Sequence, residues 1–217
     1  MKAVIFDLDQ TLIDTLKRFY IVFNKVLEMY GSPSINWDIF IKHYSDDNLD
    51  MLIPSGISRN DFWWNFLKKY NDVKIDSDSP IPGAVEVLKL LKKKNCLIAV
   101  VTGRAVKEED VWRELDEFGL SKYVDLVLTK LSIPNNDDNA LSKTKLFKLA
   151  SRLLNVSPSE CIVVGDYWND ILGGKAIGAK LVIGVLTGHM SKEKLIEYGA
   201  DIVIKNIAEL SRVLNLD

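Results

Sequence analysis

The sequence predicts an α/β protein, a doubly wound parallel sheet with an all-α segment inserted after its first strand. Three observations carry this. Short runs rich in β-branched residues (AVIF, CLIAVV, VDLVLT, CIVVG, KLVIGV and DIVI) mostly lack the polar alternation of a half-exposed strand. From about residue 80 onward these runs alternate with helical patterns, the order that makes βα units and a parallel sheet. Between 15 and 79 no strand-like run occurs. The expected organisation is therefore a core domain of 1–14 and 80–217, with a helical domain of 15–79 set into it.

Taken in order, Ala3, Val4, Ile5 and Phe6 form the first strand. Phe19, Val22, Phe23, Val26, Leu27 and Tyr30 then recur at helical spacing, and Gly31 and Pro33 end that helix. A second helix is expected over 37–44. A third is expected in FWWNFLKKY, where Ser58 and Asp61 have the spacing of an N-terminal cap. Residues 72–82 are polar and hold two prolines, as a linker back to the core should. Pro82 opens a helix with Ala84, Val87, Leu88 and Leu91 on one face. Further helices are expected over 106–118, 143–155 and 171–177, and near Lys192 and Ile207. Residues 133–142 read as a polar loop.

Composition limits the function. Hydrophobic residues make up 47% and charged residues 27% of 217, ordinary for a soluble globular protein. With a net charge of −2 there is no basic field to hold a nucleic acid. No apolar stretch reaches the roughly 18 residues a membrane span needs. The chain starts in a strand without a signal-peptide pattern, so a cytoplasmic location is expected. Cys96 and Cys161 each open an apolar run and read as small buried hydrophobes. His43 and His189 have no partners in the sequence and read as surface residues.

Chemistry concentrates at strand ends, where ligands bind in such sheets. The first strand runs into Asp7-Leu8-Asp9. On extended backbone both carboxylates point into one space. Two like charges that close call for a cation, and a hard divalent one with oxygen ligands, Mg²⁺ above all, fits. Thr102 ends VVTGR, with Gly103 allowing close backbone approach and a helix N-terminus behind it, while Arg104, which closes the run, reads as solvent-facing rather than as an aid to anion binding. GDYWND places Asp166 after another buried strand, at the same sheet edge as Asp7, with Asn169 and Asp170 following. Read alone, each of these is also an ordinary turn sequence.

Together they resemble the haloacid dehalogenase-like hydrolase superfamily. FDLDQTLID is similar to its DxDx[TV] signature, and VVTGR, Lys143 and GDYWND resemble its other three motifs in order, so the resemblance spans the chain. It implies a Rossmann-like core with a small helical cap in the first insertion position. It implies Asp7 as the nucleophile that forms an aspartyl phosphate. Asp9 would be the general acid and base and, through its backbone carbonyl, a metal ligand. Thr102 and Gly103 would bind phosphate, Asp166 would hold Mg²⁺, and Asp170 would ligate the metal or support it. Lys143 would offset the charge on the phosphoryl group. It is preferred to Lys145 because its spacing from Asp166 matches phosphoserine-phosphatase-like relatives. Thr11 closes the signature, and Gln10 stands where glycine is most familiar. In the family's strand order the first strand separates the two cysteine-bearing strands by about 9–10 Å, too far for a disulfide.

The segment GVLTGHMSKEKLIEYGADIVIKNIAEL resembles the C-terminal stretch of phosphoglycolate-phosphatase-like members. The implied activity is Mg²⁺-dependent hydrolysis of a small phosphate monoester. A phosphomutase of the same fold or a non-catalytic phosphate-binding module are the alternatives. A dehalogenase fits less well, because halide needs no proton on leaving and Asp9 would be idle. Lys17, Arg18, Arg59, Trp63 and Trp64 are candidates to line the cap. The expected partners are a small organic phosphate, no nucleic acid and no membrane, in a monomer or homodimer.

Overall fold

The computed structural model describes residues 1–134 and 142–216, so most of the loop expected over 133–142 lies outside the described residues. The chain begins with β1 (Ala3–Phe6) and a two-residue strand β2 (Ile13–Asp14), then runs through α1 (Leu16–Met29), α2 (Trp37–Ser45) and α3 (Arg59–Lys69). A second two-residue strand, β3 (Ser79–Pro80), pairs antiparallel with β2 through Ile13↔Pro80 and Asp14↔Ser79. The alternating part follows as α4 (Ala84–Lys93), β4 (Leu97–Val101), α5 (Glu108–Glu117), β5 (Leu126–Leu128), α6 (Thr144–Leu153), β6 (Cys161–Gly165) and α7 (Trp168–Ala176). It ends with β7 (Leu181–Val185), α8 (Lys192–Glu197), β8 (Ile202–Ile204) and α9 (Leu210–Val213).

The main sheet is parallel, with strand order β5-β4-β1-β6-β7-β8. Alternate residues of each strand enter opposite layers. Val4 and Phe6 pack with Ile98, Val100 and Val164 under α4 and α5. Ala3 and Ile5 pack with Ala99, Val101 and Val163 against Leu146, Phe147 and Ala150 of α6. All these residues are within 1% of fully buried. Each large side chain so placed contributes roughly 1.5–3 kcal/mol. Cys96 and Cys161 are buried and free, and they fall in different layers.

Helices α1–α3 gather around a second core of Val22, Phe23, Phe40, Phe62, Trp63 and Phe66. Its aromatic rings pack edge-on and tilted, with Phe19 and Phe66 at 4.4 Å. Ser58 caps α3 by accepting from the Asp61 N–H at 3.4 Å. The chain enters and leaves this helical lobe through the adjacent β2 and β3. Two departures from the periodicity matter here. Helix α4 starts at Ala84 rather than Pro82, because Gly83 is left-handed at φ +90° and a Cβ there would lie 2.5 Å from the Ala208 side chain. Helix α7 starts three residues before its expected position, which puts Asn169 and Asp170 in its first turn. No helix among the described residues is long and apolar enough to cross a membrane.

Candidate active site

Three strand ends supply the centre of the site. Asp7 follows β1, Thr102 follows β4 and Asp166 follows β6, so the strand order sets them side by side. Backbone pairing continues one residue past two of these strands. The Asp7 N–H donates to the Val164 carbonyl at 2.9 Å, and the Thr102 N–H to that of Leu128 at 3.0 Å. The ladder thereby fixes where both side chains leave the sheet.

Asp7, Asp166 and Asp170 are buried, and one carboxylate oxygen of each lies within 4.8 Å of the others. Lys143, at the N-terminus of α6, faces them. Its Nζ donates to Asp170 Oδ1 at 2.7 Å and to Asp7 Oδ1. Lys145 is exposed, so the lysine at the site is Lys143. Thr11 donates to Asp166 Oδ1 at 3.2 Å, and the Tyr44 hydroxyl of α2 donates to Asp166 Oδ2 at 3.3 Å. Burial pushes the Asp7 carboxyl up to about 7; Asp170 adds to this, and Lys143 opposes it. Burial, then the charges of Asp7 and Asp170, raise Asp166 well above its ordinary value. Asp170 is raised by burial against the pull of Lys143. Lys143 is buried too, yet Asp170 and Asp7 hold it above its ordinary value.

One ammonium therefore faces three buried carboxylates built only of hard oxygen donors, and the donor set fits a divalent cation such as Mg²⁺. Lys143→Met should leave those acids unpaired and destabilise the protein by about 3–5 kcal/mol. A melting curve checks this, and Mg²⁺ should restore part of the loss.

Asp9 lies outside that cluster. Its carboxylate accepts from Arg104 Nε at 2.9 Å and Nη2 at 2.5 Å, and from the Thr15 hydroxyl at 2.6 Å. Burial would raise its pKa, but the Arg104 guanidinium and these hydrogen bonds outweigh burial and hold it below the usual carboxylate range. Arg104 is 2% exposed, although its place after a turn reads as solvent-facing. A buried guanidinium needs carboxylate partners, and Arg104 has two, Asp9 and Glu114 of α5. Glu114 is shared with Arg18 of α1 at 2.7 Å, and Arg18 Nε reaches Asp78 at 2.7 Å. A buried chain of charges thus runs from Asp9 to both sides of the β2–β3 crossing.

Several contributors act through space or backbone conformation that the sequence pattern does not state. Gly165 and Gly188 are space requirements: a Cβ at Gly165 would lie 2.4 Å from Asp170 Cβ, and one at Gly188 1.8 Å from Asp166 Oδ2. Gly188→Ala should therefore displace Asp166 and weaken Mg²⁺ binding tenfold or more. Calorimetric titration with Mg²⁺ is the check, beside a melting curve that shows the variant still folds cooperatively. Gln10 has φ +58°, which explains the familiar glycine at that place. Its side chain is buried and bonded to Asp14 at 3.3 Å. A Cβ on Gly103 would meet only Lys143 Cε, at an ordinary 3.6 Å.

The carboxylates and Lys143 open into a cavity of about 80 Å³ beneath the helical lobe, which Thr102, Gly103, Arg104 and Asn169 also line. Of Lys17, Arg18, Arg59, Trp63 and Trp64, Trp63 alone lines it. Lys17 and Arg59 are exposed, Arg18 belongs to the charge chain, and Trp64 lies under Lys68. The lobe contributes Phe19, Tyr44, Phe66, Leu67 and Tyr70 instead. Tyr44 also stacks on Tyr167, with ring centroids 5.5 Å apart. His189 is exposed, and His43 is half-buried in α2, outside the cavity.

The family described as haloacid dehalogenase-like hydrolase has a model that matches residues 4–184. The chain belongs to that family. It is 32% identical, over 97% of its length and 95% of the relative's, to a Clostridium perfringens protein that carries the provisional name pyrophosphatase PpaX. It is 28% identical to a glyceraldehyde 3-phosphate phosphatase of Pyrococcus furiosus, over 99% of this chain and 93% of the other. A Chromobacterium violaceum phosphoglycolate phosphatase is 26% identical, over 97% and 95%. In fold, the chain is similar to the crystal structure of a predicted phosphatase from Clostridium acetobutylicum, with a TM-score of 0.78, 20% identity and coverage of 99% and 98%. A phosphoglycolate phosphatase of Aquifex aeolicus is similar too, at 28% identity over 85% of each chain.

Proposed function

We propose that the protein is a Mg²⁺-dependent phosphatase that hydrolyses a small phosphate monoester through an aspartyl phosphate on Asp7. One observation carries this reading. Asp7, Asp166 and Asp170 bring carboxylate oxygens within 4.8 Å of one another at one sheet edge, and the Lys143 ammonium bonds to Asp7 and Asp170 there, an arrangement that suits a cation and a phosphoryl group. The names of the relatives, all phosphatases or a pyrophosphatase, support it.

In this reading Asp166 and Asp7 hold the cation with the Asp9 backbone carbonyl, and Asp170 supports them. When bound, the cation lowers the proton affinity of the crowded acids and offsets charge on the phosphoryl oxygens. Asp7 attacks phosphorus and takes the phosphoryl group from the ester oxygen. Asp9, carrying the proton it took from water in the preceding turnover, gives that proton to the leaving alkoxide, with Arg104 and Thr15 keeping the carboxyl in place. A water then attacks the aspartyl phosphate, and Asp9 takes that water's proton, which leaves alcohol and inorganic phosphate. Lys143 holds Asp7 in place and meets the phosphoryl charge, while Thr102 and the amide of Gly103 bind its oxygens. Residues 15–79 form the lid, bending at β2–β3, and the Tyr44 contact on Asp166 belongs to its closed position.

A panel of small phosphate monoesters assayed for phosphate release with Mg²⁺ tests the proposal. Absence of release from every ester would reject it. An isomeric phosphoester in place of inorganic phosphate would identify a phosphomutase.

A further inference from the structure

We infer that the leaving group this site accepts is short, uncharged and apolar. The inference rests on the phosphatase reading and narrows its substrate class. It comes from the wall that the helical lobe turns toward the carboxylates, namely Phe19, Tyr44, Trp63, Phe66, Leu67 and Tyr70. None carries a charge, and three carry a polar side-chain atom. All three polar atoms are committed elsewhere. The Tyr44 hydroxyl donates to Asp166 at 3.3 Å, the Tyr70 hydroxyl to the Thr15 hydroxyl at 3.1 Å, and Trp63 Nε1 to Asp50 at 2.6 Å. What remains of the wall is hydrocarbon and aromatic face.

The opposite side offers no spare cation. Among the described residues, the cations lining the cavity are Lys143, bound to Asp7 and Asp170, and Arg104, bound to Asp9 and Glu114. The phosphoryl group belongs at the carboxylate end, beside Lys143. The rest of the ester must then lie against the lobe wall. A carboxylate or second phosphate pressed against that wall would be stripped of water with every donor of the wall already committed, which is strongly unfavourable. Gln10, Thr102 and Asn169, polar groups that also line the cavity, belong to the core side. An alkyl group there gains by burial. Size limits it further, because the cavity of about 80 Å³ is near half of the roughly 150 Å³ apolar cavity that holds one benzene.

Isobutyl phosphate and phosphoglycolate form a matched pair for the test. Both carry a branched four-heavy-atom tail, methyls in one and carboxylate oxygens in the other. With the intact protein and Mg²⁺, kcat/KM for isobutyl phosphate should exceed that for phosphoglycolate by on the order of a hundredfold. Phosphoglycolate turned over equally well or better would overturn the inference while leaving the phosphatase reading intact. Phosphate release from neither, nor from p-nitrophenyl phosphate, would remove the phosphatase reading itself and this inference with it. Leu67→Lys puts a cation into the wall and should shift the ratio toward phosphoglycolate tenfold or more. A folded variant with an unchanged ratio would also overturn the inference, since the tail then lies elsewhere.

Discussion

Asp7→Asn is expected to lower kcat by a factor on the order of 10⁴–10⁶ while the protein stays folded. An amide has nearly the shape of a carboxylate but cannot displace the leaving oxygen. The fold should tolerate the change. In the cation-free protein Asp7 is pushed up to about 7, first by burial and then by Asp170, so its ionisation works against folding near neutral pH. The substitution removes that opposition, and Lys143 keeps Asp170 at 2.7 Å. Thermal melting of the variant near pH 8 should therefore match or exceed wild type. Phosphate release at a rate near wild type would reject covalent catalysis by Asp7.

Stripping Mg²⁺ with EDTA should reduce turnover by more than about 10³-fold, and stability should report the same acids. The folded pKa of Asp7 lies above its ordinary 3.8, so the folded state binds the proton more tightly than the unfolded chain. Below about pH 4 both states are protonated and the full stability is present. As pH rises toward about 7 the unfolded chain gives up its proton first, and the cation-free protein loses stability across that window. Asp166 and Asp170 are raised as well and act in the same direction. Mg²⁺ should thus raise Tm more at about pH 8 than at about pH 5. Full activity after EDTA, or an equal Tm gain at both pH values, would count against a cation held by these acids.

The parts of this structure legible in the sequence are those written in local pattern. The apolar runs mark strands because a strand covered on both faces has no polar side. Asp7 and Asp166 could be expected at one sheet edge because each follows such a run. The rest depends on partners distant in sequence. Arg104 follows a turn and reads as exposed, and only the folded chain brings Asp9 and Glu114 to its two faces. Tyr44 sits on the apolar face of a short helix, and no spacing rule says that its hydroxyl reaches Asp166. Gly188 looks like any turn glycine until Asp166 fills the space a side chain would need. Strands of two residues, such as β2 and β3, are too short for any period to register.

The central place of β1 has a consequence for how the chain assembles. Val4 must wait for Ile98 on one flank and for Ile162 on the other, both of which emerge from the ribosome long after it. The aromatic cluster of α1–α3 draws on neighbours close in sequence and can condense as soon as α3 is made. Synthesis therefore yields the small helical lobe first, carried beside a β1 with both edges bare. The sheet closes only when β6 arrives, and the loop it must close makes that docking slow. Until then the exposed edges of AVIF are the part of the nascent chain most open to pairing with another copy.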